Sequence, residues 1–160
     1  MLTCVTDPTP GSSAPERERP TVLLIDDDAE MLESLAMVLQ DYGFRVLTAP
    51  DGHRGLQMFR EHEPAAVLTD IIMPEEDGIG TMLQIRRERP ETTVIVISGQ
   101  VESWDYLGIA RRLGADAVFE KGGDTRVLLE TLDRLLARPS TTTAASARAG
   151  AGPRARHGDR

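Results

Sequence analysis

Apolar residues along the chain fall into two alternating patterns. Val22 to Ile25 is an unbroken apolar run too short for a helix, and Thr93 to Ile97 is a β-branched run of the same kind. The first predicts a strand buried on two faces, and the second predicts a strand as well. Phe44 to Thr48, Ala66 to Leu68 and Ala117 to Phe119 read as three more strands. Between them the apolar spacing changes to three and four. Met31, Leu32, Leu35, Ala36, Val38 and Leu39 predict a helix that ends near Gly43, where a left-handed cap residue is expected. Further helices are expected over Asp51 to Glu61, with Leu56, Met58 and Phe59 inward, and over Ile79 to Glu88. Two more follow, Val101 to Leu113, closed by Gly114, and Thr125 to Leu136. Methionines at helical spacing, among them Met31, Met37 and Met58, read as core filler. Five strands and five helices in strict alternation are the pattern of βαβ units around a parallel sheet, an α/β fold.

This periodic region spans residues 20–138 of the 160-residue chain, enough for one globular domain and too little for a second. Residues 1–19 are rich in Pro, Ser, Thr and mixed charge and read as a disordered leader, without the basic stretch and apolar core of a secretory signal. Residues 139–160 are Ala, Gly, Ser and Thr with Arg148, Arg154, Arg156 and Arg160, a flexible basic tail. No apolar stretch is long enough to span a bilayer. The net charge of −8 argues against direct nucleic-acid binding, less strongly for the tail. The only cysteine, Cys4, excludes an intrachain disulfide and a cysteine metal cluster, which fits a reducing cytoplasm.

In open doubly wound sheets, ligands sit beyond the carboxyl ends of the strands where the strand order reverses. Those ends carry Asp26, Asp27 and Asp28 after the first strand, Asp70 after the third, Ser98 after the fourth and Lys121 after the fifth. Two carboxylates about 4 Å apart repel by roughly 4 kcal/mol at an effective dielectric of 20, so such a cluster calls for a cation. Oxygen ligands without His or Cys select Mg²⁺, Mn²⁺ or Ca²⁺, and phosphate chemistry favours Mg²⁺. Lys121 and Ser98 suit the oxygens of a phosphoryl group. Asp28 alone is as well explained by helix capping. His53, His62 and His157 fall on charged surface or in the tail and carry no assignment.

Asp26-Asp27, Thr69-Asp70 with Met73-Pro74 and Gly78, Ile97-Ser98-Gly99, and Gly114-Ala115-Asp116 leading to Lys121 together resemble the signature of response-regulator receiver domains in two-component signalling. The resemblance implies a single flavodoxin-like five-stranded parallel sheet of order 2-1-3-4-5 with five helices. It also implies a cytoplasmic signalling phospho-acceptor rather than an enzyme. Asp70 would be phosphorylated from the phosphohistidine of a sensor histidine kinase or phosphotransfer protein. Asp26, Asp27, Asp70 and the main-chain carbonyl of Ile72 would bind Mg²⁺, with Mn²⁺ as a substitute, and Ser98 and Lys121 would engage the phosphoryl group. A downstream protein would read the face formed by the fourth helix, fifth strand and fifth helix. A homodimer is compatible with this picture.

Two positions depart from the family. Gly122 follows Lys121 where proline is usual, so a trans Lys121–Gly122 bond is expected, a cis bond before a non-proline residue costing about 2.5–4 kcal/mol. Val118 stands where many members carry an aromatic switch. Phe119, one place later, points to the opposite face of the strand and cannot replace it. Ile72 cannot orient a water while Gln100 can, and no unusually fast self-dephosphorylation is expected. Two alternatives stay open: a receiver-like interaction module not controlled by phosphorylation, and an Asp-nucleophile phosphatase built on the Asp26-x-Asp28 spacing.

Overall fold

The computed structural model describes residues 19–71, 73, 78–99, 108 and 110–137. Strand β1 (Thr21–Ile25) is hydrogen-bonded on one side to β2 (Arg45–Ala49) and on the other to β3 (Ala66–Asp70). Beyond β3 lie β4 (Thr93–Ser98) and β5 (Ala117–Glu120), and every pairing is parallel. The order is therefore β2-β1-β3-β4-β5, and the direction of winding reverses between β1 and β3. Burial follows position in the sheet. β3 and β4 are buried at every residue, whereas the edge strands β2 and β5 are partly exposed.

Helices cover both faces, which is why the central strands can be apolar on both sides. α1 (Ala29–Tyr42) and the C-terminal helix (Thr125–Leu136) pack on Val22, Leu24, Leu68, Ile95 and Ile97. α2 (Gly52–His62) and α3 (Gly78–Glu88) pack on Leu23, Ile25, Val67, Val94 and Val96. The chain is thus the α/β fold that the alternation predicts, with the flavodoxin-like, doubly wound strand order that the family resemblance implies. No described helix is long and apolar enough to cross a membrane.

Among the described residues the predicted element centres hold, and most ends move by a residue or two. β3 runs on through Thr69 to Asp70, and β4 through Ser98. α1 closes at Gly43 as expected, with its N–H bonded to the carbonyls of Leu39 and Gln40. Met37 is a correction. It is 59% exposed, because it lies two residues, about 200° of helical turn, from both Leu35 and Leu39 on the buried stripe. Residues 110–112 are helical, with Ala110 buried beside α3's cluster. Gly108 is also helical and Leu113 lies in the turn that follows, while residues 101–107 and 109 of the expected helix, with Gln100, lie outside the described residues, as do Ile72, Pro74, the leader to residue 18 and the tail from residue 138.

Candidate functional site

The reversal between β1 and β3 opens the sheet's carboxyl rim where Asp26 and Asp70 emerge. Asp26 stays tied to the sheet, its N–H bonded to the Ala49 carbonyl at 3.2 Å, so its side chain is held at the rim and buried. Asp27 is exposed beside it. Asp28 turns away to cap α1, its carboxylate accepting from the N–H groups of Glu30 and Met31 at 3.1 Å each. Its own N–H donates to Asp26 at 2.9 Å. One acidic triplet is thus divided between a site and a cap. Carboxylate oxygens of Asp26, Asp27 and Asp70 lie within 4.8 Å of one another.

Lys121 reaches this cluster because β5 registers on β4. Its N–H bonds the Ser98 carbonyl at 2.9 Å, and its stem lies along Gly99, where an added Cβ would stand 3.3 Å from Lys121 Cδ. The ammonium then spans both buried acids, 2.8 Å from Asp26 Oδ2, 3.0 Å from Asp26 Oδ1 and 2.6 Å from Asp70 Oδ2. Burial pushes the Asp26 carboxyl above its usual range, and the hydrogen bonds from Lys121 and the Asp28 N–H only partly offset it. Burial alone would lower the Lys121 ammonium, but the hydrogen bonds to Asp26 and Asp70 outweigh it and leave its pKa raised.

Ser98 completes the rim. Its hydroxyl is buried and, among the described residues, has no hydrogen-bond partner. A buried hydroxyl without a partner costs about 1–3 kcal/mol, so its native state calls for an acceptor brought from outside. Among the described residues, three carboxylates gather around one ammonium, a net negative cluster. Hard oxygen donors at this spacing fit a divalent cation such as Mg²⁺, and the idle hydroxyl beside a fixed ammonium fits the oxygens of an anion.

Of the residues predicted for the site, Asp26, Asp27, Asp70 and Lys121 converge, Ser98 adjoins them on β4, and Ile72 lies outside the described residues. The sequence marked Gly78 as part of the family signature without a structural reason for it. A Cβ on Gly78 would fall 1.8 Å from the Asp70 carbonyl oxygen, so the start of α3 can close under Asp70 only without a side chain. The Lys121–Gly122 bond is trans, as expected, and Gly122 has φ +81°, a conformation closed to proline. Phe119 packs with the cluster under α1 and the C-terminal helix, and Val118 with the opposite one, so the aromatic does stand on the other face from the usual switch position.

Comparison with known proteins agrees with this geometry. A family model described as the response regulator receiver domain matches residues 22–133. The transcriptional regulatory protein CseB of Streptomyces avermitilis is 33% identical over 121 residues, 76% of this chain and 51% of that protein. PrrA of Mycobacterium tuberculosis, also a transcriptional regulatory protein, is 35% identical over 127 residues, 79% of this chain and 54% of its own. The chain spans about half the length of these curated relatives. Among solved structures, a CheY-like response regulator receiver domain protein from Methanospirillum hungatei superposes with a TM-score of 0.70 at 27% identity, covering 74% of this chain and 94% of the other.

Proposed function

Since the chain belongs to the response-regulator receiver family of two-component signalling, we propose that Asp70 is its phospho-acceptor, charged from a phosphohistidine on a sensor histidine kinase or phosphotransfer protein. The observation that carries this reading is the ammonium of Lys121 held between Asp70 and Asp26, beside a buried Ser98 hydroxyl that has no partner among the described residues. An Asp70 oxygen attacks phosphorus in line as the phosphorus–nitrogen bond to the donor imidazole breaks, and that nitrogen keeps the electron pair and is protonated. Lys121 stays near the transferred group and neutralises part of its charge, and Ser98 donates its free hydrogen to a phosphoryl oxygen. Asp26, Asp27 and Asp70, with the Ile72 carbonyl, would hold Mg²⁺ or Mn²⁺, which supplies charge neutralisation at the phosphoryl oxygens.

The product is an aspartyl phosphate, so the chain is a signalling acceptor that assists its own charging rather than an enzyme with a released product. A downstream protein then reads the face around β5 and the C-terminal helix. The Asp26-x-Asp28 phosphatase alternative is disfavoured by Asp28, whose carboxylate is engaged in capping α1. Incubation with Mg²⁺ and a small acyl phosphate should add one phosphoryl mass to the wild type and none to Asp70→Asn. Equal uptake by both, or by neither, would sink the assignment.

A further inference from the structure

A groove of about 140 Å³ opens between α1 and the start of the C-terminal helix, beside the Lys121 loop but outside the carboxylate cluster. Met31, Leu35, Phe119 and Leu128 form its apolar walls, and Ser34 and Glu120 supply polar atoms. The ring of Phe119 closes over Gly123, where an added Cβ would stand 3.1 Å from the ring edge. Glu120 is exposed and has no ion-pair partner among the described residues. An aromatic face, an apolar trough and an unpaired carboxylate together make a seat for an arginine side chain, methylenes along the walls and guanidinium toward Glu120.

We propose that the occupant is this chain's own basic segment, residues 138–160, folded back onto the groove. Two observations select it. Charge is the first: residues 138–160 carry Arg138, Arg148, Arg154, Arg156 and Arg160 against only Asp159, so the remainder of the chain is more negative than the whole-chain −8. Reach is the second. The segment leaves from Ala137, at the end of the helix whose beginning, at Thr125 and Leu128, walls the groove. That helix has 12 residues and is about 18 Å long. The eleven residues from Ala137 to Arg148 can extend over roughly 36 Å, so Arg148 and the later arginines can turn back to the groove. Tethering at this distance gives an effective concentration in about the millimolar range, enough to hold a contact too weak to persist between separate molecules. The docked segment covers Phe119 and the Gly122–Gly123 loop, and a partner protein approaching this face must displace it. This contact does not depend on Asp70 being charged, so it stands or falls apart from the phospho-acceptor assignment.

The test is amide chemical shifts of the full chain, without phosphodonor. Replacing Arg148, Arg154 and Arg156 together by Ala should move the Gly122, Gly123 and Thr125 amides, and Glu120→Gln should move them along the same direction. Raising salt to about 0.5 M should reproduce the change in wild type and do little to the arginine variant. Shifts that stay put in the arginine variant overturn the proposal, as do changes confined to another face. Wild-type shifts that depend on protein concentration would assign the groove to a second copy's tail and overturn the intramolecular contact.

Discussion

The two ends of the sheet are made from the same chemical parts and settle them in opposite ways. At the amino end of β4 and β5, Arg86 of α3 donates from Nε to the Gly114 carbonyl at 2.8 Å and from Nη1 to the carbonyls of Pro90 and Thr92 at 2.9 and 2.5 Å. Its Nη2 pairs with Asp116, whose carboxylate also accepts the Val94 N–H at 2.9 Å. Each nitrogen of that guanidinium has an acceptor. At the carboxyl end, Asp26 and Asp70 share the Lys121 ammonium with Asp27 beside them and, among the described residues, the Ser98 hydroxyl has no partner. A closed network pins three segments of chain. An open one keeps groups waiting for a ligand and lowers stability by doing so.

The largest effect expected from breaking this contrast is at the closed end. Arg86→Met should leave Asp116 without its cation and three carbonyls without their donor, costing about 3 kcal/mol and lowering the melting temperature by on the order of 10 °C. Phosphoryl uptake measured below the transition should be retained. If Arg86→Met melts with the wild type, the network at this end is ornamental and the contrast between the two rims fails.

Asp26→Asn, measured with chelator, should do the reverse and raise stability at neutral pH. Burial lifts the folded pKa of Asp26 above its ordinary 3.8, so the folded state holds the proton more tightly than the unfolded chain. The wild type is then favoured below about 3.8 and loses that advantage as pH rises through the raised value, so the gap to Asp26→Asn opens over that window. Lys121 keeps Asp70 as a partner in the variant, so no buried charge is stranded. A variant less stable than wild type at pH 7 would mean that the Lys121 contact outweighs the burial.

The difference between the rims also decides what the sequence could disclose. Asp26, Asp27, Asp70, Ser98 and Lys121 were legible because each follows an apolar run whose end is visible in the chain, and strand ends in parallel sheets share one rim. The strand order was not legible from local pattern and rested on the family resemblance, because nothing in β1 states that it pairs with both β2 and β3. Arg86 escaped notice for a similar reason. Its acceptors are main-chain carbonyls, which have no letter in a sequence, and Asp116 lies 30 residues away. Gly78 was visible as a glycine, but only the approach of the Asp70 carbonyl shows why no other residue fits.

The smallest effect belongs to a charge pair outside both rims, and it isolates pairing from burial. Arg60 on α2 and Glu88 on α3 form a two-pronged contact, with Nε to Oε2 at 2.9 Å and Nη2 to Oε1 at 2.6 Å, yet their side chains are 49% and 33% exposed. Hydrogen bonds from Arg60 hold the Glu88 carboxyl below its ordinary 4.5. Its contribution is therefore complete above 4.5 and disappears as pH falls through the lowered value. Solvent screens such a pair, so Glu88→Gln should shift the melting temperature far less than Arg86→Met at pH 7 and not at all in strong acid. A guanidinium–carboxylate pair occurs at both places, and only the surroundings differ. Equal losses for the two variants would mean that ion pairing itself, and not the closed network around Arg86, stabilises the amino end of the sheet.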